Sequence, residues 1–144
     1  GEIIAKATSI WLAVNTETDK PIRLTDDIMG VYGCEPQHKN FPEFEFTKVA
    51  ENDFPIVSEI SFKINKSMID CNNHVHNTSY LDLANEALPE GMDEIHFNNI
   101  EVSYKKEITP HETVSIEYTT DSEKSYVFIR DESKCTLHAT VVLY

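Results

Sequence analysis

The chain has 144 residues, 40% of them hydrophobic and 10% aromatic, which is the content of an ordinary globular protein with one sizeable core. Twelve Lys and Arg against 25 Asp and Glu give a formal charge of −13, which argues against nucleic-acid and anionic membrane partners. No apolar run approaches the roughly 20 residues of a membrane-spanning helix. Three separated cysteines (Cys34, Cys71 and Cys135) indicate thiols, and with no transit-like segment visible they favour a cytoplasmic location.

The first part of the chain predicts a strand, a short helix and a linker. Apolar and β-branched residues recur from Ile4 to Val14 and end in the polar turn Asn15 to Lys20, which is typical of a strand. A short helix is expected over Asp26 to Tyr32, closed by Gly33. The stretch from Cys34 to Pro55 carries three prolines and many charges without periodicity, which indicates a linker.

The remaining residues predict one α+β domain. Successive strands joined by short turns pair as hairpins, so an antiparallel sheet should wrap around the one helix that precedes most of them. That helix should be capped by Asn77 or Thr78 and stopped by Pro89 and Gly91, and no second helix is visible after it. The expected elements are a strand over 56–64, a polar loop over 67–77, a helix over 80–88, and strands over 100–108, 114–120, 126–130 and 136–143.

The densest cluster of chemically able side chains is the loop from Asp70 to Asn77, which feeds the N-terminus of the helix. Exposed amides and the positive end of a helix dipole stabilise a developing oxyanion, and a nearby carboxylate can act as a base. The same residue types are also common in loops and caps that are only structural, so composition leaves both interpretations open.

Residues of this loop also suit two other kinds of chemistry. Asp70, Cys71, His74 and His76 include donors that suit a metal ion, but a second ligand cluster is missing. Cys71 or Cys135 could act as a nucleophile with His74, although a lone cysteine is more often a small apolar filler. The other histidines are expected to be surface or sheet residues rather than ligands: His38, His96, His111 and His138.

The loop and two further segments together resemble the acyl-acyl carrier protein thioesterase family. The segment Asp70 to Asn77, followed by Ser79-Tyr80-Leu81-Asp82, is similar to the family's Asp-Met-Asn-x-His-Val-Asn-Asn loop before Tyr-Leu. The segment Val102 to Glu107 is similar to its Tyr-Arg-Arg-Glu strand, and the opening residues 1–11 with Arg23-Leu24 look like the last strand and exit of its first domain.

The resemblance implies a hotdog fold, in which two such domains follow each other and the second is catalytic. It implies three parts here: residues 1–33 as the remnant of a preceding hotdog domain, 34–55 as a linker and 56–144 as the catalytic domain. It also implies a catalytic set with no metal and no cofactor, made of Asp70, Asn72, His74 and Glu107. Asn72 would hold the thioester carbonyl, Glu107 would activate water, and Asp70 and His74 would hold the network, although Asp70 could itself be the base.

This sequence departs from the family pattern at three positions. His76 stands where the family has the first Asn of Val-Asn-Asn, and Met68 stands where many members carry Asp. Ile108 follows Glu107, where some plant members carry a cysteine once considered as the nucleophile. Ile cannot play that part, so a cysteine mechanism is disfavoured.

The function implied is hydrolysis of fatty acyl-acyl carrier protein to free fatty acid and carrier protein, which terminates fatty acid synthesis. The partner implied is acyl carrier protein, with Lys63 and Lys66 or Lys105 and Lys106 as the local basic pairs that could meet its acidic surface. Alternatives are a hotdog acyl-coenzyme A thioesterase, a hotdog hydratase, and a non-catalytic acyl-binding domain. Because a hotdog sheet usually packs on a partner, a homo-oligomer or pairing with the first domain is expected.

Overall fold

The computed structural model of this chain describes residues 2–18, 20–33, 35, 37–45, 47, 55–92 and 96–144. The chain divides into two compact units, Gly1–Glu45 and Phe46–Tyr144. Much of the expected linker over 34–55 lies outside the described residues, so the boundaries 1–33, 34–55 and 56–144 stay a prediction. Within the described ranges, every helix is too short or too polar to span a lipid bilayer.

The first unit contains a small hairpin near the end of the strand expected over Ile4 to Val14. Strand β1 (Ala13–Asn15) pairs antiparallel with β2 (Lys20–Ile22), and Asn15 Oδ1 closes the turn by accepting two backbone N–H groups at 2.9 Å. The long strand itself is wrong. Residues 2–12 have no described strand beside them to pair with, and the side chains of Ile4 and Trp11 are 96% and 74% exposed.

The short helix expected in the first unit is confirmed. Helix α1 spans Asp26–Val31, and acidic side chains in its first turn face the positive end of the helix dipole. Gly33 follows at φ 57°, a left-handed conformation that glycine adopts without steric strain.

The second unit is built on one antiparallel sheet of five strands, as expected. The strands lie in the spatial order β3-β5-β6-β7-β4. Their bounds are β3 (Ser58–Lys63), β4 (Ile100–Tyr104), β5 (Thr113–Thr120), β6 (Ser125–Asp131) and β7 (Leu137–Leu143). β4 is shorter than expected because the chain turns around β7 after Tyr104: the N–H groups of Lys105 and Lys106 both donate to the carbonyl of His138.

The hairpin turns of this sheet are organised by aspartate side chains. Asp121 Oδ1 accepts the N–H groups of Glu123 and Lys124, both at 2.7 Å, in the turn between β5 and β6. Asp131 Oδ1 accepts the N–H of Thr136 at 3.0 Å in the next turn. Such local bonds satisfy turn amides and fix the strand register.

Helix α2 (Ser79–Glu86) covers one face of the sheet and supplies the centre of the core. Its residues Tyr80, Leu83 and Ala84 are buried at helical spacing. Burial of each large apolar side chain stabilises the fold by about 1.5–3 kcal/mol. The sheet side chains in the same cluster include Val114, Ile116, Tyr118, Val127, Ile129, Ala139 and Val141.

The opposite face of the sheet carries both charged and apolar side chains. Glu117 and Arg130 alternate with the core residues of β5 and β6, and their charged groups lie 3.2 Å apart. Lys134 Nζ lies 3.1 Å from the Glu117 carboxylate and 2.7 Å from that of Glu59. A small apolar cluster around Phe128 completes this face. The observed architecture is therefore the α+β arrangement expected, an antiparallel sheet wrapped around one helix.

Candidate active site

The loop from Asp70 to Asn77 begins as a closed turn between β3 and α2. Ile69 and Val75 form an antiparallel bridge, and Asp70 donates its N–H to the carbonyl of His74 at 2.8 Å. Asn73 lies at the tip with φ 64°, a left-handed conformation that asparagine tolerates better than most residues. The bridge brings three of the expected site residues, Asp70, Asn72 and His74, into one turn.

The carboxylate of Asp70 holds this turn from inside. Its Oδ1 accepts the backbone N–H of Asn72 at 2.8 Å and that of His74 at 3.3 Å. Partial burial alone would raise the pKa of Asp70. The hydrogen bonds from His74 and Asn72 and the nearby His74 ring outweigh burial, so the pKa lies below its ordinary value of 3.8. Asp70 is therefore ionised at neutral pH, and its Oδ1 is occupied by N–H groups of the loop backbone.

The Asn72 and His74 side chains differ in how far they are exposed. Asn72 is exposed, and its Nδ2 lies 3.5 Å from Asp70 Oδ2, which is at the long limit of a hydrogen bond. Its amide N–H groups therefore keep capacity for another acceptor. His74 is half-buried, and its backbone is fixed by the two bonds to Asp70.

Glu107 reaches the same region through its neighbour Ile108. Val75 donates its N–H to the carbonyl of Ile108 at 2.9 Å, and Ile108 donates its own N–H to the Tyr80 hydroxyl at 3.3 Å. The Ile108 side chain is fully buried, whereas Glu107 is exposed. Among the described residues, none forms a hydrogen bond or ion pair with the Glu107 carboxylate, so that carboxylate can accept a proton from a water molecule.

Tyr80 and Tyr104 are part of this arrangement, and sequence reasoning missed their role. The sequence places Tyr80 in the predicted helix and in the Tyr-Leu part of the family resemblance, without a role for its hydroxyl. Its ring meets that of Tyr104 edge to face at 5.1 Å, and Tyr104 donates its hydroxyl to the Asn77 carbonyl at 2.9 Å. Burial, with the nearby Tyr104, Glu107 and Glu112, raises the pKa of Tyr80 to about 12. A tyrosine in a buried helical stripe needs a partner for its hydroxyl, and that was the available signal.

The helix begins without the side-chain cap expected from Asn77 or Thr78. Thr78 occupies the N-cap position, but its side chain bonds none of the helix amides. Its N–H and hydroxyl instead lie 3.2 and 2.8 Å from Nδ1 of His76. His76 Nδ1 accepts the Thr78 N–H just before the helix, so this nitrogen is not available to a substrate.

The metal and cysteine interpretations gain no support from these positions. Among the described residues, no group of three or more His, Cys, Asp or Glu side chains is placed to hold a metal ion. Cys71 is an exposed free thiol, as is Cys135, which sits in a turn rather than filling an apolar gap. Cys34 lies outside the described residues.

An open cleft of about 290 Å³ lies beside the loop. The four candidate site residues do not line this cleft. It lies next to the loop because its wall includes Ile69 and Asn73, the neighbours of Asp70 and Asn72 along the chain. Two of its lining side chains, Lys66 and His111, can carry positive charge. The complete lining is Ile64, Asn65, Lys66, Ile69, Asn73, Pro110 and His111.

A known protein family matches within the second unit. Residues 51–139, more than half of the chain, match the model of the acyl-ACP thioesterase C-terminal domain. Two curated relatives come from Arabidopsis thaliana and are named oleoyl-acyl carrier protein thioesterase 2 and 1, chloroplastic. The identities are 27% over 135 residues and 30% over 132, which is 88% and 85% of this chain but 37% and 36% of those proteins. The chain thus spans just over a third of the relatives' length.

Solved structures of low identity share the fold. An acyl-ACP thioesterase from Bacteroides thetaiotaomicron superposes with a TM-score of 0.72 at 18% identity, over 90% of this chain and 51% of that one. At this identity the likeness shows the fold alone, and it confirms the expected hotdog fold.

Proposed function

Because this chain belongs to the acyl-ACP thioesterase family and carries its C-terminal domain, we propose that it hydrolyses fatty acyl-acyl carrier protein to free fatty acid and carrier protein. Such a reaction would terminate fatty acid synthesis. The observation that carries the proposal is the hydrogen bond from Val75 to Ile108, because it joins the loop of Asp70, Asn72 and His74 to the segment of Glu107. In this proposal the four residues act together, three from the loop and Glu107 from the segment bonded to it.

In this proposal Glu107 is the general base and Asp70 is not. Asp70 already accepts two backbone N–H groups, and its pKa is lowered, so it is a weak base committed to the loop. The carboxylate of Glu107 is exposed and has no partner among the described residues, which supports its role in taking a proton from water. The sequence left the base role open between these two residues, and we assign it to Glu107.

The reaction would proceed by direct attack of water. Glu107 accepts a proton from the water as its oxygen bonds to the thioester carbonyl carbon, and the exposed amide of Asn72 donates to the oxyanion that forms. The C–S bond then breaks, and the departing thiolate of the carrier takes the proton from Glu107. The products are a fatty acid and the free carrier thiol. His74 would orient and tune this network from its half-buried position.

Acyl carrier protein is the proposed partner, and coenzyme A esters are the alternative substrate. The formal charge of −13 disfavours both of these anionic partners, so docking depends on local positive groups. Lys66 and His111, on the cleft beside the loop, are placed to meet a phosphate or an acidic surface. Lys105 and Lys106 precede Glu107 along the chain and are exposed.

The association state and location are also proposed. Ile100 and Tyr104 are exposed on the edge strand β4, which suits a homo-oligomer or pairing with a further hotdog domain. Size measurement by analytical ultracentrifugation tests this, and a monomeric second unit would contradict it. The exposed thiols Cys71 and Cys135 suit a reducing compartment such as the cytoplasm, while the curated relatives are named chloroplastic.

The test is hydrolysis of a panel of acyl-carrier-protein and acyl-coenzyme A thioesters by the full-length protein that contains this chain. We expect preference for carrier-protein substrates and a loss of at least ~100-fold in kcat for Glu107→Gln and Asn72→Ala. Glu90→Gln and Asn85→Ala make the same changes at exposed positions away from the site and should retain the wild-type rate. Full activity in the first pair contradicts the roles, and turnover of coenzyme A esters alone contradicts the substrate class.

A further inference from the structure

His138 lies on β7 beneath the segment that carries Glu107. Its side chain is only 2% exposed, and its Nδ1 lies 3.1 Å from the carbonyl oxygen of Glu107 and 3.2 Å from that of Lys106. Because carbonyl oxygens only accept, Nδ1 must carry a proton and donate it. The carbonyl of His138 also accepts the N–H groups of Lys105 and Lys106, at 2.8 and 3.2 Å. One residue thus holds the whole segment 105–107.

The other ring nitrogen of His138 is buried without a hydrogen-bond partner among the described residues. It lies 3.6 Å from Oε2 of Glu112. Burial alone would raise the pKa of Glu112, but hydrogen bonds from Thr109 and the nearby His138 and Lys106 lower it. A buried polar atom without a partner is costly, so its retention here needs a reason.

We propose that His138 is the positioning residue for the general base, in that its buried Nδ1–H clamps the carbonyls of Lys106 and Glu107 and thereby sets where the Glu107 carboxylate stands. This inference rests on the proposed function. The imidazole holds one end of the segment, and the bonds of Ile108 to Tyr80 and Val75 hold the other. With both ends fixed, the backbone of Glu107 is held in one place, and its exposed carboxylate can occupy only the positions that its side-chain rotamers reach from there.

Three substitutions at His138 test the clamp in full-length protein. In His138→Asn the side-chain amide can donate in place of Nδ1–H. In His138→Gln the amide reaches the position of Nε2 instead. In His138→Leu a side chain of similar volume remains, but it has no hydrogen-bond donor. We expect His138→Leu and His138→Gln to lower kcat roughly 10- to 100-fold with little change in KM, and His138→Asn to restore most of the rate. Val141→Ala, a buried change on the same strand, should lower stability and leave kcat unchanged at temperatures below unfolding.

The outcomes separate this inference from the proposed function. If Glu107→Gln is inactive while His138→Leu turns over like wild type, His138 does not position the base. Equal losses in His138→Asn and His138→Leu, or a loss of kcat in Val141→Ala as large as that in His138→Leu, also overturn it. If Glu107→Gln keeps the wild-type rate, Glu107 is not the base and the inference fails with that role. If the wild-type protein hydrolyses no acyl-carrier-protein thioester, the proposed function itself fails. Should the Leu variant not fold, ¹⁵N NMR of wild-type His138 decides: a proton on Nδ1 is expected, and an unprotonated Nδ1 overturns the clamp.

Discussion

Val75 and Ile108 share a backbone hydrogen bond of 2.9 Å, and through it two segments far apart in the sequence become neighbours. One carries Asp70, Asn72 and His74, and the other carries Glu107. Ile108 is fully buried and also donates to Tyr80. The arrangement of the site therefore depends on backbone bonds and on buried groups that do not themselves touch a substrate.

Tyr80→Phe should disturb the candidate site through the buried amide of Ile108. Removal of the hydroxyl leaves the buried N–H of Ile108 without its acceptor, which costs about 1–3 kcal/mol, and it loosens the segment of Glu107. We expect lower stability in urea unfolding together with lower kcat. Tyr118→Phe is the matched control, because its buried hydroxyl bonds Ser125 away from the site. It should cost similar stability with unchanged kcat, and equal kcat in both variants would contradict the role of Tyr80.

The loop should depend on the ionisation of Asp70. Its pKa is lowered in the folded chain, so its contribution to stability is present above the ordinary value of 3.8 and is lost as pH falls through the folded pKa. The protection factors of the Asn72 and His74 amides, corrected for the intrinsic exchange rate at each pH, should therefore fall below about pH 4.

Asp70→Asn should abolish that acid step in the loop. Asp121 holds its own turn through two amide hydrogen bonds and also has a lowered pKa, so it serves as an internal control. Amides of the 121–124 turn should keep their acid response in the variant. A loop response that survives Asp70→Asn would assign it to another group.

Asn73→Gly should preserve or slightly increase stability. Asn73 lies at φ 64°, where a residue with a Cβ is strained by up to about 1–2 kcal/mol and glycine is not. Asn73→Val should destabilise, because β-branched residues tolerate this region worst. Asn99→Gly makes the same change at a position without positive φ whose backbone pairs with Tyr144, and it should cost about 0.5–1 kcal/mol. Denaturant midpoints check all three, and a large loss in Asn73→Gly would refute the argument.

Ile108→Cys should not introduce a nucleophile. The Ile108 side chain belongs to the core cluster, so a thiol there would face the core rather than the site. We expect no gain in rate and a thiol that reacts with Ellman's reagent only after unfolding, whereas Cys71 and Cys135 react in the folded protein. Ile108→Val, which should cost about 0.5–1.5 kcal/mol, controls for lost volume. A faster enzyme would revive the cysteine mechanism.

Local patterns in the sequence predict most of the fold but only part of the candidate site. Alternating apolar residues and aspartate turns predict the five strands, because those signals lie within a few residues of each other. The end of β4 at Tyr104 could not be predicted, since it depends on Lys105 and Lys106 bonding His138 more than 30 residues away. His138 itself was expected only as a surface or sheet residue, because its partners are carbonyl groups that any sequence supplies.

The site residues Asp70, Asn72, His74 and Glu107 were identified by resemblance to a family, and their roles stay a prediction. The residues that position these four side chains are harder to predict from the sequence. Tyr80 and Thr78 looked like an apolar helix position and a cap, and their actual bonds go to Ile108 and His76. The bond between Ile108 and Tyr80 joins residues far apart in the sequence, and the bond between Thr78 and His76 depends on a histidine that departs from the family pattern. Sequence spacing alone predicts neither bond.

The clamp of His138 on the carbonyl of Glu107 spans 31 residues, and the bond from Val75 to Ile108 spans 33. Contacts of such sequence separation form late, because loop closure must precede them. The strand pairs β3–β5 and β4–β7 join residues still farther apart, so the segment of Glu107 should reach its place only as the sheet is completed. Recovery of turnover after dilution from denaturant should therefore follow the last phase of sheet formation. In this protein the competence to react is a property of the completed sheet, since neither segment can assemble the site alone.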